Sequence, residues 1–179
     1  MTDITVSKSS SRGERGQSLV ELAISLTVML LLLSGAVSFG MALFSYVAVR
    51  DAAGEGALYG SIRPYNDVDL SGTYTAGDTL NDLAICARVK AASDRPVNMT
   101  GFSCSAGGYS GTGNNIDVTA TNAGNFCEGT TGGNANGIKV QVDYNQPIIM
   151  PFIGTIVGGQ SIHLKATVTD TILEPRCGP

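Results

Sequence analysis

The stretch Gly16–Arg50, GQSLVELAISLTVMLLLLSGAVSFGMALFSYVAVR, carries one carboxylate, Glu21, and no further charge until Arg50. As a helix rising roughly 1.5 Å per residue, the uncharged run Leu22 to Val49, about 28 residues, reaches about 42 Å against a hydrocarbon core of roughly 30 Å. It is long enough to span a bilayer and protrude. A buried core helix rarely stays uncharged for so long and is usually polar on one side, whereas this run is apolar all round. A cleavable secretory signal has a shorter apolar region and a small-residue cleavage site, but here the run continues through Phe39, Met41, Leu43, Phe44 and Tyr46. A plain anchor would satisfy the length, yet it gives no reason for a glutamate immediately before the run, because a carboxylate in hydrocarbon costs several kcal/mol unless paired or neutralised.

With RGERGQSLVELA in front of a long apolar helix, the chain resembles the amino terminus of a type IV prepilin, and most closely the TadE-like pseudopilins of the tight-adherence (Tad/Flp) pilus system. The segment YVAVRDAAGEGALYGS is similar to the stretch after the apolar helix in that family, and QVDYNQPIIMPFIG and SIHLKATVTDTILEP resemble it more loosely. The resemblance implies a prepilin peptidase that cuts after Gly16, leaving Gln17 as the new amino terminus and Glu21 as the fifth residue. It implies that Glu21 pairs with the free amino group of a neighbouring subunit and so sets the axial register of assembly. Leu22 stands where Phe or Tyr often comes after the glutamate. The implied partners are the peptidase, other pilins and pseudopilins, the assembly machinery and membrane lipid.

Residues 1 to 16, MTDITVSKSSSRGERG, are polar, Ser-rich and aperiodic, and read as a leader. Lys8, Arg12 and Arg15 outnumber Asp3 and Glu14, so the positive-inside rule keeps this end cytoplasmic and sends the rest outward. The expected organisation is a leader (1–16), a transmembrane and stalk helix (17–60) and an extracytoplasmic α+β domain (61–179). That domain should hold one further helix packed on an antiparallel sheet. Its mildly acidic charge gives no sign of nucleic-acid binding.

Within the span, Ser34, Gly35, Ala36, Ser38 and Gly40 form a small-residue patch suited to close helix contact, or one simply tolerated in a span. Gly60 and Pro64 are stop signals for the long helix. Next, YNDVDLSGTYTAGD (65–78) sets Asp67, Asp69, Ser71, Gly72 and Asp78 at the spacing of a calcium loop of the EF-hand type. A solvated turn in which Asp78 or Thr79 caps the next helix is the reading preferred here, because the last ligand is Asp rather than Glu and Pro64 interrupts the preceding helix. TLNDLAICARVKAAS (79–93) predicts an amphipathic helix whose apolar side includes Leu80, Leu83, Ala84, Ala87 and Val89, ended by Asp94-Arg95-Pro96.

Strands are predicted at Val97–Cys104, Asn115–Thr121, Gly137–Tyr144 and Ser161–Thr171, with Ser105–Asn136 as a long Gly-rich loop or decorated hairpin. QPIIMPFIG, with two prolines, is expected to be a cross-connection or an apolar contact surface. Cys86, Cys104, Cys127 and Cys177 all fall on the outward side, where disulfides form. Two bridges are expected, with Cys104–Cys127 the preferred pair; the spacings match no common zinc pattern. The single histidine, His163, falls on the polar side of a strand without a nucleophile nearby in sequence, and no phosphate-binding or dinucleotide fingerprint occurs. The chain reads as not an enzyme and as needing no cofactor. The competing reading is a permanently anchored surface binding module, with or without calcium dependence.

Overall fold

The computed structural model describes residues 12–70, 74–75, 77–122, 125–148 and 158–174, with side chains from Gly16 onward. The chain divides into two compact units at Phe39/Gly40. One continuous helix, α1 (Arg12–Ile62), enters both. It has no charge between Glu21 and Arg50 to interrupt it, and Pro64 lies just past its end, where Arg63 N–H still donates to Tyr59 O at 3.0 Å. In the first unit the helix is apolar and exposed on every side, with Leu22, Leu30 and Leu32 at 62%, 55% and 71%. This helix is long and apolar enough to cross a membrane.

The second unit is the α+β domain. In chain order after α1 it contains β1 (Tyr65–Asn66), β2 (Thr79–Leu80), α2 (Asp82–Ala92), β3 (Ser103–Ala106), β4 (Asn115–Ala120), β5 (Thr130–Thr131), β6 (Asn134–Ala135), β7 (Gly137–Pro147) and β8 (Ser161–Thr171). The main sheet has the order β3-β4-β7-β8. Its long pairs are antiparallel, with Val140 opposite both Val118 and Val168. The alternation read in β8 is present: Ala166 is buried, Leu164 and Val168 are half-buried, and the odd-numbered residues face the polar side.

One face of the sheet makes the core. Ile116, Val118, Ile138, Val140, Val142 and Ala166 bury against Val49, Ala52, Ala53 and Ala57 of α1 and Ile85, Cys86 and Val89 of α2. Each fully buried Val or Ile contributes roughly 1.5–3 kcal/mol relative to exposure. The small residues of α1 permit this packing. A β-carbon on Gly56 would lie 2.3 Å from Val89 Cγ2, and one on Gly60 would lie 2.8 Å from Ile138 Cγ2.

The sequence-based expectations need four corrections. First, β3 pairs parallel to β4, with Cys104 opposite Ile116, so the sheet is mixed rather than wholly antiparallel. Adjacent parallel strands need a crossover; here residues 107–114 supply it as a loop, with Gly107 and Gly108 at φ near +100°. Second, the strand expected at Val97–Cys104 forms only at Ser103–Ala106. Val97 and Met99 instead fill the core from irregular backbone at 1% and 0% exposure. Third, α2 starts at Asp82 with Asn81 at the N-cap position, not with Asp78 or Thr79. Leu83, expected on its apolar side, is 70% exposed, because Ile85, Cys86 and Val89 turn the opposite face inward.

The fourth correction concerns the cysteines. Cys86 pairs with Cys104, 18 residues apart and 6.2 Å between Cα atoms, in place of the preferred Cys104–Cys127. The reason is packing: α2 lies against β3 and β4, which brings buried Cys86 to the edge strand. Cys127 is also disulfide-bonded, while Cys177 lies outside the described residues. Most of QPIIMPFIG also lies outside them; at its start β7 reaches Pro147, and Ile148 N–H donates to Gln160 O at 2.9 Å.

Candidate functional site

Gly16, Gln17 and Glu21 are exposed on consecutive turns of α1, immediately before the uncharged run. Helix geometry gives about 7.5 Å of axial rise from Gly16 to Glu21. The carboxylate therefore sits at the edge of the apolar stretch, not in its middle. Farther along, Thr27 Oγ1 and Ser34 Oγ donate to Ala23 O and Leu31 O, so these hydroxyls are satisfied within the helix and impose no polar stripe on it.

The 65–78 loop gathers Asp67, Asp69 and Asp78, with one carboxylate oxygen from each within 4.8 Å of the others. Ser71 and Gly72 lie outside the described residues. Asp78 is buried, and its oxygens accept from Val68 N–H at 2.9 Å and Thr75 N–H at 2.7 Å. It holds the loop closed above the short β1–β2 pair, which is the structural role in place of the expected helix cap. Burial, then the charges of Asp67, Asp78 and Asp69, push the Tyr65 hydroxyl above its ordinary range. Tyr65 meets Tyr74 edge-on, and Tyr74 meets Phe126 likewise, both at 5.5 Å between ring centres.

His163 lies on the polar face of the sheet, as its register predicts. Nε2 is 3.1 Å from Asp143 Oδ1 and Nδ1 is 3.0 Å from Asn145 Oδ1. Asp143 is almost wholly buried and also accepts from Gln141 Nε2 at 2.7 Å. Nearby, buried Asp117 accepts from Ser105 Oγ at 2.8 Å and from Gly108 N–H at 3.3 Å. Asn145 donates its backbone N–H to Asn114 Oδ1 and its side-chain amide to Thr112 O. These bonds fasten the 107–114 crossover over the polar face, and each buried carboxylate is satisfied by donors. This clasp went unread in the sequence; its one local signal was the run of odd-numbered polar residues, Lys139 to Asn145, facing those of β8.

Fold and site define a class: a protein with one long amino-terminal helix of membrane-spanning character, continuous with a small disulfide-bonded α+β domain. Residues 16–58 match the family model described as TadE-like protein. TadE-like proteins are associated with Tad pilus systems and are not an enzyme family. Among the described residues one helix is long and apolar enough to cross a membrane, as a single-pass membrane protein would have. No curated protein matches the chain, and no solved structure does.

Proposed function

We propose that the chain is a minor pilin or pseudopilin of a tight-adherence pilus, made as a membrane precursor and cleaved after Gly16 by a prepilin peptidase. The observation that carries this reading is the order along one helix: Gly16, then Glu21, then an uncharged run to Val49, all inside the TadE-like segment. After cleavage Gln17 bears a free amino group. Glu21, too costly to leave unpaired as the helix moves into an apolar bundle, pairs with that group on a neighbouring subunit and sets its register. Residues 1–16 remain cytoplasmic, 17–60 form the span and stalk, and the domain from 61 onward is displayed outside. Its function is structural, in pilus biogenesis, adhesion or secretion, and it is not an enzyme.

The test is the mass of the mature amino terminus, purified from membranes of cells that contain the matching peptidase, with Gly16→Leu as control. A chain beginning at Gln17, lost in the control, supports the reading; Glu21→Ala should then still be cleaved but fail to enter filaments. A leader retained while the peptidase processes another substrate would overturn it.

The anchored calcium-binding module has its structural foothold in Asp67, Asp69 and Asp78. Asp78 already serves two backbone donors, so we hold the pilin reading. Millimolar calcium is expected to leave the melting temperature of the domain unchanged, and a rise abolished by Asp69→Asn would restore the module.

A further inference from the structure

Beside α1, within the α+β domain, lies an open groove of about 230 Å³ lined by Phe44, Val47, Ala48 and Asp51 of the helix and by Ala92, Ser93, Arg95 and Pro96 after α2. The helical four recur at i, i+3, i+4 and i+7, so they form one stripe.

Its level comes from the helix rise. From Leu22, about 20 residues fill a core of roughly 30 Å and end at Met41. Phe44 and Val47 then lie within about 10 Å of the hydrocarbon edge, the zone where amphipathic rings and long cationic side chains are favoured. Phe44 and Val47 are 64% and 52% exposed there. Two opposite charges line the same groove: Arg95 on the loop and Asp51 on the helix, both exposed. Neither takes part in the ion pairs among the described residues, so they face one cleft without meeting.

We propose that this groove seats the zwitterionic headgroup of a phospholipid in the leaflet from which the domain emerges. Arg95 binds the phosphate, Asp51 the ammonium, and Phe44 and Val47 flank the upper acyl chain. A single-sign patch would suit an anionic lipid; one cation and one anion suit a headgroup carrying both. The proposal rests on the membrane-spanning reading of α1, and the test separates the two.

The chain has no tryptophan, so one introduced indole reports alone. Full-length Ala92→Trp and, as a depth control, Leu32→Trp are reconstituted in phosphatidylethanolamine-rich vesicles whose acyl chains are brominated near the headgroup end or near the methyl end. If Ala92→Trp is poorly folded by calorimetry, Asp94→Trp replaces it. The indole at 92 should lose about half its emission to the shallow bromines, as a side chain at the interface does, and little to the deep ones. Adding Arg95→Glu should restore the emission, and all-phosphatidylglycerol vesicles should quench it less. Quenching of Leu32→Trp without quenching at 92 overturns the groove proposal and leaves the span intact. No quenching at either position removes the span and the proposal together. Equal or stronger quenching in phosphatidylglycerol overturns the zwitterion, and quenching that fades as protein is concentrated in the bilayer gives the groove to a second copy.

Discussion

Two stretches of α1 have opposite fates, one uncharged throughout and one that keeps its charges on the outward side. Between Leu22 and Val37 the large side chains point outward and remain exposed, Leu33 at 63% and Val37 at 44%. Between Val49 and Gly60 the inward residues are Val49, Ala52, Ala53, Ala57 and two glycines, and the four named side chains are at most 1% exposed. Size, more than hydrophobicity, separates them. Leu and Val offer area to a surrounding apolar medium, while Gly lets the side chains of α2 and β7, Val89 and Ile138, come close. The first stretch is dressed for a solvent and the second for a partner.

Core truncation should break this contrast most strongly. Ile85→Ala removes a fully buried side chain packed on the second stretch, and a loss of about 2–5 kcal/mol is expected in calorimetric unfolding of the full chain in detergent. Leu32→Ala, in the first stretch, should leave that transition within about 0.5 kcal/mol of wild type. Comparable losses from both would mean that the two stretches do not differ in kind.

Removing the Cys86–Cys104 bridge, as the double alanine variant, should cost about 3 kcal/mol, the loop-closure entropy of a short covalent ring. Loss of the transition under reducing conditions in that variant would further show how much the second cross-link, at Cys127, contributes.

The glycines sharpen the comparison residue by residue. Gly54→Ala finds open space and should gain up to about 1 kcal/mol from helix propensity. Gly56→Ala drives a methyl into Val89 and should lose about 1–3 kcal/mol. Equal effects at the two positions would remove the close-approach explanation.

The smallest effect belongs to the sheet. Burial raises the pKa of Tyr144, which stacks on Phe102 at 5.9 Å between centres. The folded state then keeps a proton that the unfolded chain releases near pH 10, so stability is level below that pH and declines above it. Tyr144→Phe should flatten part of the alkaline decline in a urea titration; an unchanged slope would show that other groups produce it.

Legibility tracked periodicity. The long helix could be read because its signal is a run, and β8 because alternation from Ile162 to Val168 survives even at an edge. Both depend on local pattern. The parallel placement of β3 could not be read, since Ser103–Ala106 is short and its partner is chosen by a glycine crossover that carries no alternation of its own. Leu83 was misplaced because α2 has apolar residues on more than one side, and only packing decides which face turns in. The cysteine pairing failed for a related reason: proximity along the chain favoured Cys127, whereas α2 lying across the sheet edge chose Cys86. At the site, the roles of Gly16 and Glu21 come from the resemblance of the amino-terminal motif and stand as proposals. The Asp143–His163 contact joins strands whose register only the fold supplies.

The family segment ends at residue 58, but Val49, Ala52, Ala53 and Ala57 lie within it and form one wall of the domain core. The carboxy-terminal domain of this chain therefore cannot be cut away at the segment border without losing one wall of its core. A recombinant that joins this helix to a foreign domain inherits a stripe cut to fit Val89 and Ile138, and a soluble fragment begun after residue 60 leaves that wall behind. The packing unit of this chain is the domain together with its helix from Gly40 onward.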